Sequence, residues 1–365
     1  MAQVVLPLSA HKRHKKRHEQ AQPLLVRTNQ AEFSINQDIL GYANQVNKEL
    51  NSFNDTFFNP QFLKKAHKLS SWASTEGQQF VLQGATQTVH GTYFNRGSDT
   101  LVIVGPGFNN KHEQMAGCIK LFPDYDLVFF DFPGHGRAQR QPSTFQGKLS
   151  RFFADIDITS VSFGPAEVET ILTAITHFKG QKEYTKLVGV GFCYSVMFLV
   201  QAGAQWATIH QTPLFDKLIL DSSWNSYDQL VKHLPLLKVN SLGVPFLTRF
   251  FNTNWAKDNF LWAAQKVVGV PFDQLAPLTF YSPQLVGTDI LFIQSCKDIA
   301  ISSEEFEKVW DSFAHIEHKC VLFTHNEHVR NHFAQKELFK FASELFIEKP
   351  FNEFYAVVAG QKKIQ

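Results

Sequence analysis

Six short runs rich in Val, Ile, Leu and Phe set the tightest limit on what this chain can fold into. They are TLVIVGPGF (100–108), YDLVFFDFPGHG (125–136), KLVGVGF (186–192), DKLILDSS (216–223), TDILFIQS (288–295) and HKCVLFTH (318–325). A strand that is apolar on both faces has to be covered on both faces. Helix-compatible segments lie between several of the runs, at 164–178, 194–207, 303–314 and 332–347. Buried strands alternating with helices predict an α/β fold, a mostly parallel central sheet with helices on both faces. Just ahead of it, QQFVLQG and QTVHGTYF predict an antiparallel pair beginning near Gln78.

The rest of the chain divides around that frame. Residues 1–29 contain the basic run HKRHKKRH at 11–18 and read as a flexible, solvated arm. Residues 30–77 read as a helical extension, with apolar positions such as Phe33, Ile39, Tyr42, Val46 and Leu50 mostly three or four apart. Ser34 and Gln37 are spaced for a capping box there, and Asn59-Pro60 for a second helix start. The predicted core is 78–223 with 287–350. Between its two parts, residues 224–286 are too long for a simple crossover and alternate apolar runs with Pro and Gly, which predicts a cap or lid over the sheet edge.

Composition excludes several classes. Apolar residues make up 44% and charged residues 19%, the balance of a soluble globular protein with a sizeable core. The net charge of +2 is concentrated in the arm, where Lys12, Arg13, Lys15, Lys16 and Arg17 face only Glu19 in the first 20 residues. The remainder is slightly acidic, so no nucleic-acid partner is expected. For the arm itself, contact with an anionic membrane surface or with nucleic acid is the alternative to a solvated tail. No apolar run reaches the roughly 20 residues of a membrane helix. The basic cluster follows the first apolar stretch instead of preceding it, so a cytoplasmic location is expected. Cys118, Cys193, Cys296 and Cys320 are widely spaced with no CxxC pair, which predicts reduced thiols and no cysteine zinc site. Neither a metal nor another cofactor is expected: the three His in CVLFTHNEHVRNHF lack the HExxH pattern.

One corner carries chemistry. In KLVGVGFCYSVMFLVQAG (186–203) a strand meets a helix at Cys193. A nucleophile held clear of a sheet by such a turn needs small residues two before and two after it, and Gly191 and Ser195 stand there. Centring the turn on Ser195 puts Cys193 and Met197 at the flanks, a poorer fit. On the residues alone, Cys193 is either that nucleophile or a small buried filler.

GFCYS resembles the nucleophile elbow of the α/β-hydrolase superfamily, with Cys for the commoner Ser and Ser195 for the last Gly. VGPGFNN resembles the oxyanion loop after the third strand, with Pro106 where His is usual. DFPGHGRA (131–138) resembles the turn after the fourth strand. The resemblance spans about residues 78–347 and implies the order nucleophile, acid, histidine. By it Cys193 is the nucleophile, Asp298 the acid (with Asp221 as alternative) and His328 the base (with His325 next and His332 as a third). The backbone N–H groups of Phe108 and Tyr194 are the oxyanion donors. With Cys at the elbow, the chain is similar to dienelactone hydrolases and to acyl-CoA:amino acid acyltransferases. The activity implied is hydrolysis of an ester or thioester of an apolar acyl group through an acyl-enzyme. Acyl transfer to an amine or other acceptor is one alternative, and a non-catalytic binding protein on the same fold is another.

Overall fold

The computed structural model describes residues 25–28, 32–34, 76–108, 110–138, 161–241, 245–268, 270–272, 277–296, 298, 300–324, 328–329, 331 and 336–359. Among these residues ten strands form one sheet: β1 (Leu25–Thr28), β2 (Glu32–Ser34), β3 (Gln78–Gln83), β4 (Thr88–Phe94), β5 (Thr100–Gly105), β6 (Asp126–Phe130), β7 (Lys186–Phe192), β8 (Lys217–Asp221), β9 (Asp289–Ser295) and β10 (Lys319–Thr324). Their order is β2-β1-β10-β9-β8-β7-β5-β6-β4-β3. The six central strands, β10 to β6, are mutually parallel and are the six apolar runs. The β3–β4 pair is antiparallel, as expected, and joins β6 antiparallel.

Among the described residues ten α-helices follow in chain order: α1 (Cys118–Leu121), α2 (Pro165–Gln181), α3 (Tyr194–His210), α4 (Tyr227–Ser241), α5 (Pro245–Phe251), α6 (Asn254–Val268), α7 (Pro277–Tyr281), α8 (Ser303–Ser312), α9 (Lys336–Glu348) and α10 (Phe351–Val358). Helices α4 to α7 form the insertion between β8 and β9.

Alternation along each buried strand divides the interior into two cores. Leu101, Ile103, Val128, Phe130, Leu218, Leu220, Ile290 and Phe292 face the layer that holds α2, α3 and α8. Val102, Val104, Leu127, Phe129, Val188, Val190, Phe192, Ile219, Leu291 and Ile293 face α1, α9 and α10. Each such side chain contributes about 1.5–3 kcal/mol on burial. Strand β7 breaks the symmetry, with Gly189 and Gly191 facing the first core. A Cβ on Gly191 would lie 2.8 Å from Leu199 Cδ1 and 3.2 Å from the Val196 backbone. That bare face lets α3 lie close against the strand it follows.

Strand β6 lies on one side of β5 and β7 on the other, so the crossovers change direction between β5 and β7. In open parallel sheets ligands bind at such switch points, beyond the carboxyl ends of the strands. Cys193 follows β7 there, and the Pro106-Gly107-Phe108 loop follows β5.

Two expectations about the chain's beginning are corrected. Residues 25–28, placed in the flexible arm, form β1, and Glu32–Ser34, placed in a helix, form β2. Strand β1 pairs with β10, buries Val26, and sets Arg27 on Glu307 at 2.6 Å and over the Trp310 ring. The hairpin thereby covers what would otherwise be the exposed edge of β10. The rest of the arm and of the helical extension, including Gln37, Asn59 and Pro60, lies outside the described residues.

The DFPGHGRA turn is held by Asp131. Its buried carboxylate accepts the backbone N–H groups of His112 and Arg137, both at 2.8 Å, and meets His112 Nδ1 at 3.0 Å. His112 Nε2 in turn lies 3.0 Å from Thr92 Oγ1 on β4. A Cβ on Gly136 (φ 49°) would sit 2.4 Å from the carboxylate. Burial opposes the charge, but the His112 and backbone donors hold the Asp131 carboxyl below its ordinary range. Breaking a buried pair of this kind costs about 3–5 kcal/mol. Asp131→Ala is therefore expected to lose stability on that scale in urea unfolding, whereas a substitution at exposed Glu304 is expected to be near neutral.

Candidate active site

Cys193 has φ 53° and ψ −105°, a conformation that costs a non-glycine residue about 1–3 kcal/mol and persists only where its surroundings enforce it. Its N–H donates to the Asp221 carbonyl at 2.9 Å, tying the turn to the neighbouring strand end. Tyr194 opens α3, so its N–H is among those with no carbonyl inside the helix to meet.

Ser195, in the usual glycine position, is fully buried and well accommodated. Its hydroxyl donates to the Gly105 carbonyl at 2.7 Å and accepts the Phe192 N–H at 2.8 Å. The space comes from the adjacent strand. Gly105 is paired with Gly191 in the sheet, and a Cβ on Gly105 would lie 2.5 Å from Ser195 Cβ. The elbow keeps its clearance by placing the missing side chain on β5.

The loop after β5 passes beside Cys193. A Cβ on Gly107 would stand 3.9 Å from Cys193 Cβ, and the Gly107 carbonyl accepts the Asn110 N–H at 3.1 Å to close the turn. The Phe108 ring packs edge-on against Tyr194 at 5.1 Å and His135 at 5.5 Å. The two backbone segments proposed for the oxyanion thus flank Cys193 from β5 and α3.

Asp298 and His328 come together as expected. His328 Nδ1 donates to Asp298 Oδ2 at 2.7 Å, while Asp298 Oδ1 accepts the N–H groups of Ala300 and Ile301 at 2.8 and 3.0 Å. Both side chains are nearly or fully buried. With Nδ1 engaged, Nε2 is the nitrogen left for chemistry. The Cys193 sulfur lies close enough to act on the ring. Burial pulls the His328 pKa down. The Asp298 carboxylate, with the Cys193 sulfur beside it, outweighs that and holds the imidazole well above its ordinary range.

Asp221, the alternative acid, is not paired with His328. Its buried Oδ1 accepts the Asn331 amide at 2.8 Å and the Ser222 hydroxyl at 2.9 Å, and Ser222 Oγ accepts the Val329 N–H at 3.0 Å. Asp221 therefore anchors the segment that carries His328. His325 and His332 lie outside the described residues.

Trp224, Ser222, Asn331 and His233 were not singled out from the sequence. The Trp224 indole Nε1 donates to Cys193 Sγ at 2.9 Å, and its ring lies 5.5 Å from His328 and 5.6 Å from His233. His233, on α4, donates from Nδ1 to the Gln229 carbonyl. Burial drives its pKa down to about 4, so it is neutral near pH 7. The only available signal was position: LILDSSW puts Trp224 directly after a strand that ends beside the elbow. Among the described residues, no group of three or more His, Cys, Asp or Glu stands together as a metal site. No helix among them is long and apolar enough to cross a membrane.

This sheet, its crossovers and the helical insertion are the α/β-hydrolase fold. An esterase of Pyrococcus furiosus superposes with a TM-score of 0.53 at 14% identity, over 76% of this chain and 92% of that one. The acylaminoacyl peptidase of Pyrococcus horikoshii superposes with a TM-score of 0.50 at 14% identity, over 77% of this chain and 44% of the longer peptidase. No protein-family model and no curated protein matches the sequence.

Two outcomes are expected from this geometry. Gly105→Ala should lose about 1–3 kcal/mol by overpacking against Ser195. Adding Ser195→Gly should recover most of that loss, a coupling that a double-mutant cycle in urea reads directly. His328 has a folded pKa above its unfolded value of about 6.5, so its stabilisation is complete below that pH and disappears as pH rises through the folded value. The stability gap between wild type and His328→Gln should accordingly be largest near pH 6 and shrink in alkali.

Proposed function

We propose that the chain is a hydrolase of esters or thioesters that works through a Cys193–His328–Asp298 triad and a covalent acyl-enzyme. The observation that carries this reading is the left-handed Cys193 at the β7–α3 corner with the Asp298-bound His328 beside it. A filler cysteine needs neither a strained backbone nor a buried, oriented imidazole. The fold's resemblance to an esterase and a peptidase supports acyl chemistry.

In the proposed reaction His328 Nε2 takes the Cys193 proton and the thiolate attacks the acyl carbonyl, forming a C–S bond. The carbonyl oxygen becomes an oxyanion facing the Phe108 and Tyr194 N–H groups. Collapse breaks the bond to the leaving alkoxide or thiolate, which receives the proton from His328. Water then attacks the thioester while His328 removes its proton. The C–S bond breaks, and the acid departs as Cys193 is restored. Asp298 stabilises the imidazolium in both halves. An apolar acyl group is the favoured substrate, because Phe163, Tyr227 and Phe272 belong to the apolar cluster that also contains Cys193, with Phe108 packed against it.

A panel of p-nitrophenyl esters and acyl-CoA thioesters of graded chain length, with and without amine acceptors, tests this. Turnover is expected to vanish in Cys193→Ala and to fall by about 10²–10⁴ in His328→Ala. An acyl-enzyme mass on Cys193 should accumulate with slow substrates. If no substrate is turned over and Cys193 alkylation is slow and indifferent to His328, the hydrolase reading fails and a binding role takes its place.

A further inference from the structure

We propose that Trp224 is a further catalytic residue: its indole N–H, 2.9 Å from Cys193 Sγ, stabilises the sulfur as an anion both before attack and as it leaves. This rests on the thiolate nucleophile proposed above.

The indole nitrogen can only donate, so in this contact the sulfur is the acceptor. Both groups are buried, Trp224 at 1% and Cys193 at 4% exposure, which leaves little water to compete for either. A donor aimed at sulfur favours the thiolate over the thiol. It also favours the thiolate over the thioester, whose sulfur shares its electron density with the carbonyl. The N–H therefore acts twice. It stabilises the nucleophile at rest, and it receives the sulfur when the C–S bond breaks and the electron pair returns to Sγ. Hydrogen bonds to charged groups in dry surroundings are the strong ones.

The charged and titratable neighbours leave this task to the indole. His328, backed by Asp298, approaches from the loops after β10 and β9. On the insertion side, His233 packs against the Trp224 ring but is neutral near pH 7, with Lys257 behind it. The Asp221 carboxylate is turned to Asn331 and Ser222, and only its backbone carbonyl meets Cys193, through the N–H. His328 must give up its proton during turnover, whereas the Trp224 N–H is permanent.

The test uses the full chain with exposed Cys296 replaced by Ser, and the mass of the labelled peptide tells Cys193 apart from Cys118 and Cys320. Iodoacetamide labelling of Cys193, read by mass spectrometry across the acid-to-alkaline range, is compared for wild type, Trp224→Phe and an isostere with 3-benzothienylalanine at this position. The isostere keeps the ring shape and lacks only the N–H, so it separates the hydrogen bond from packing. The labelling midpoint is expected to rise by about one pH unit in both, a tenfold loss of thiolate at fixed acid pH. With acyl-CoA, acyl-enzyme breakdown is expected to slow in the same two proteins. An unchanged midpoint in the folded isostere overturns the inference even if turnover stands. A wild-type midpoint at the ordinary thiol value that ignores His328→Gln instead overturns the nucleophile reading beneath it.

Discussion

The left-handed backbone of Cys193 is the constraint around which the rest is arranged. A residue with a Cβ held at φ 53° relaxes unless several contacts forbid it. Here the Cys193 N–H is fixed to the end of β8, the Ser195 hydroxyl ties the first turn of α3 to the end of β5, and α3 lies close on the glycine face of β7. Each contact belongs to a different part of the sheet. The conformation of one residue is thus enforced by the registry of three neighbouring strands.

The proposed acid and base are set by the same economy of backbone anchors. Two consecutive strand ends supply Asp298 and the His328 segment, and main-chain N–H groups fix one oxygen of the carboxylate. The other oxygen is left with a single task. Asp221, Ser222 and Asn331 form a buried polar brace beneath the His328 segment, so the imidazole is placed from below by hydrogen bonds and from the side by its acid. Such preorganisation moves the cost of orienting the groups from the reaction to folding.

Much of this was legible in the residues because it depends on local pattern. Strands buried on both faces leave continuous apolar runs, so the six parallel strands could be read directly. The order of Cys193, Asp298 and His328 came from the resemblance to the α/β-hydrolase elbow and its neighbouring loops, applied to the strand each residue follows. Short strands were not legible. Leu25–Thr28 and Glu32–Ser34 have too few residues for periodicity, and the pairing of Leu25–Thr28 with β10 joins positions nearly 300 residues apart. A basic run and a three-to-four spacing drew the eye to an arm and a helix instead. Trp224 was missed for another reason: an aromatic after a strand is ordinary core material until its N–H is seen to face sulfur. Asp221 stood as a plausible acid because sequence shows that a carboxylate ends β8, but not which way it turns.

The Gly105–Ser195 arrangement also limits the order in which such an elbow is reached. The two positions, 90 residues apart, share one small allowance of volume: either may carry a side chain, but not both. A lineage that begins with small residues at both can gain Ser195 while Gly105 stays bare, or a Cβ at 105 while the elbow keeps its glycine. Passing from one solution to the other requires returning through the doubly bare state or crossing a crowded one. Neutral drift at either position is therefore conditional on the other, and a motif defined at the elbow alone describes half of what is held fixed.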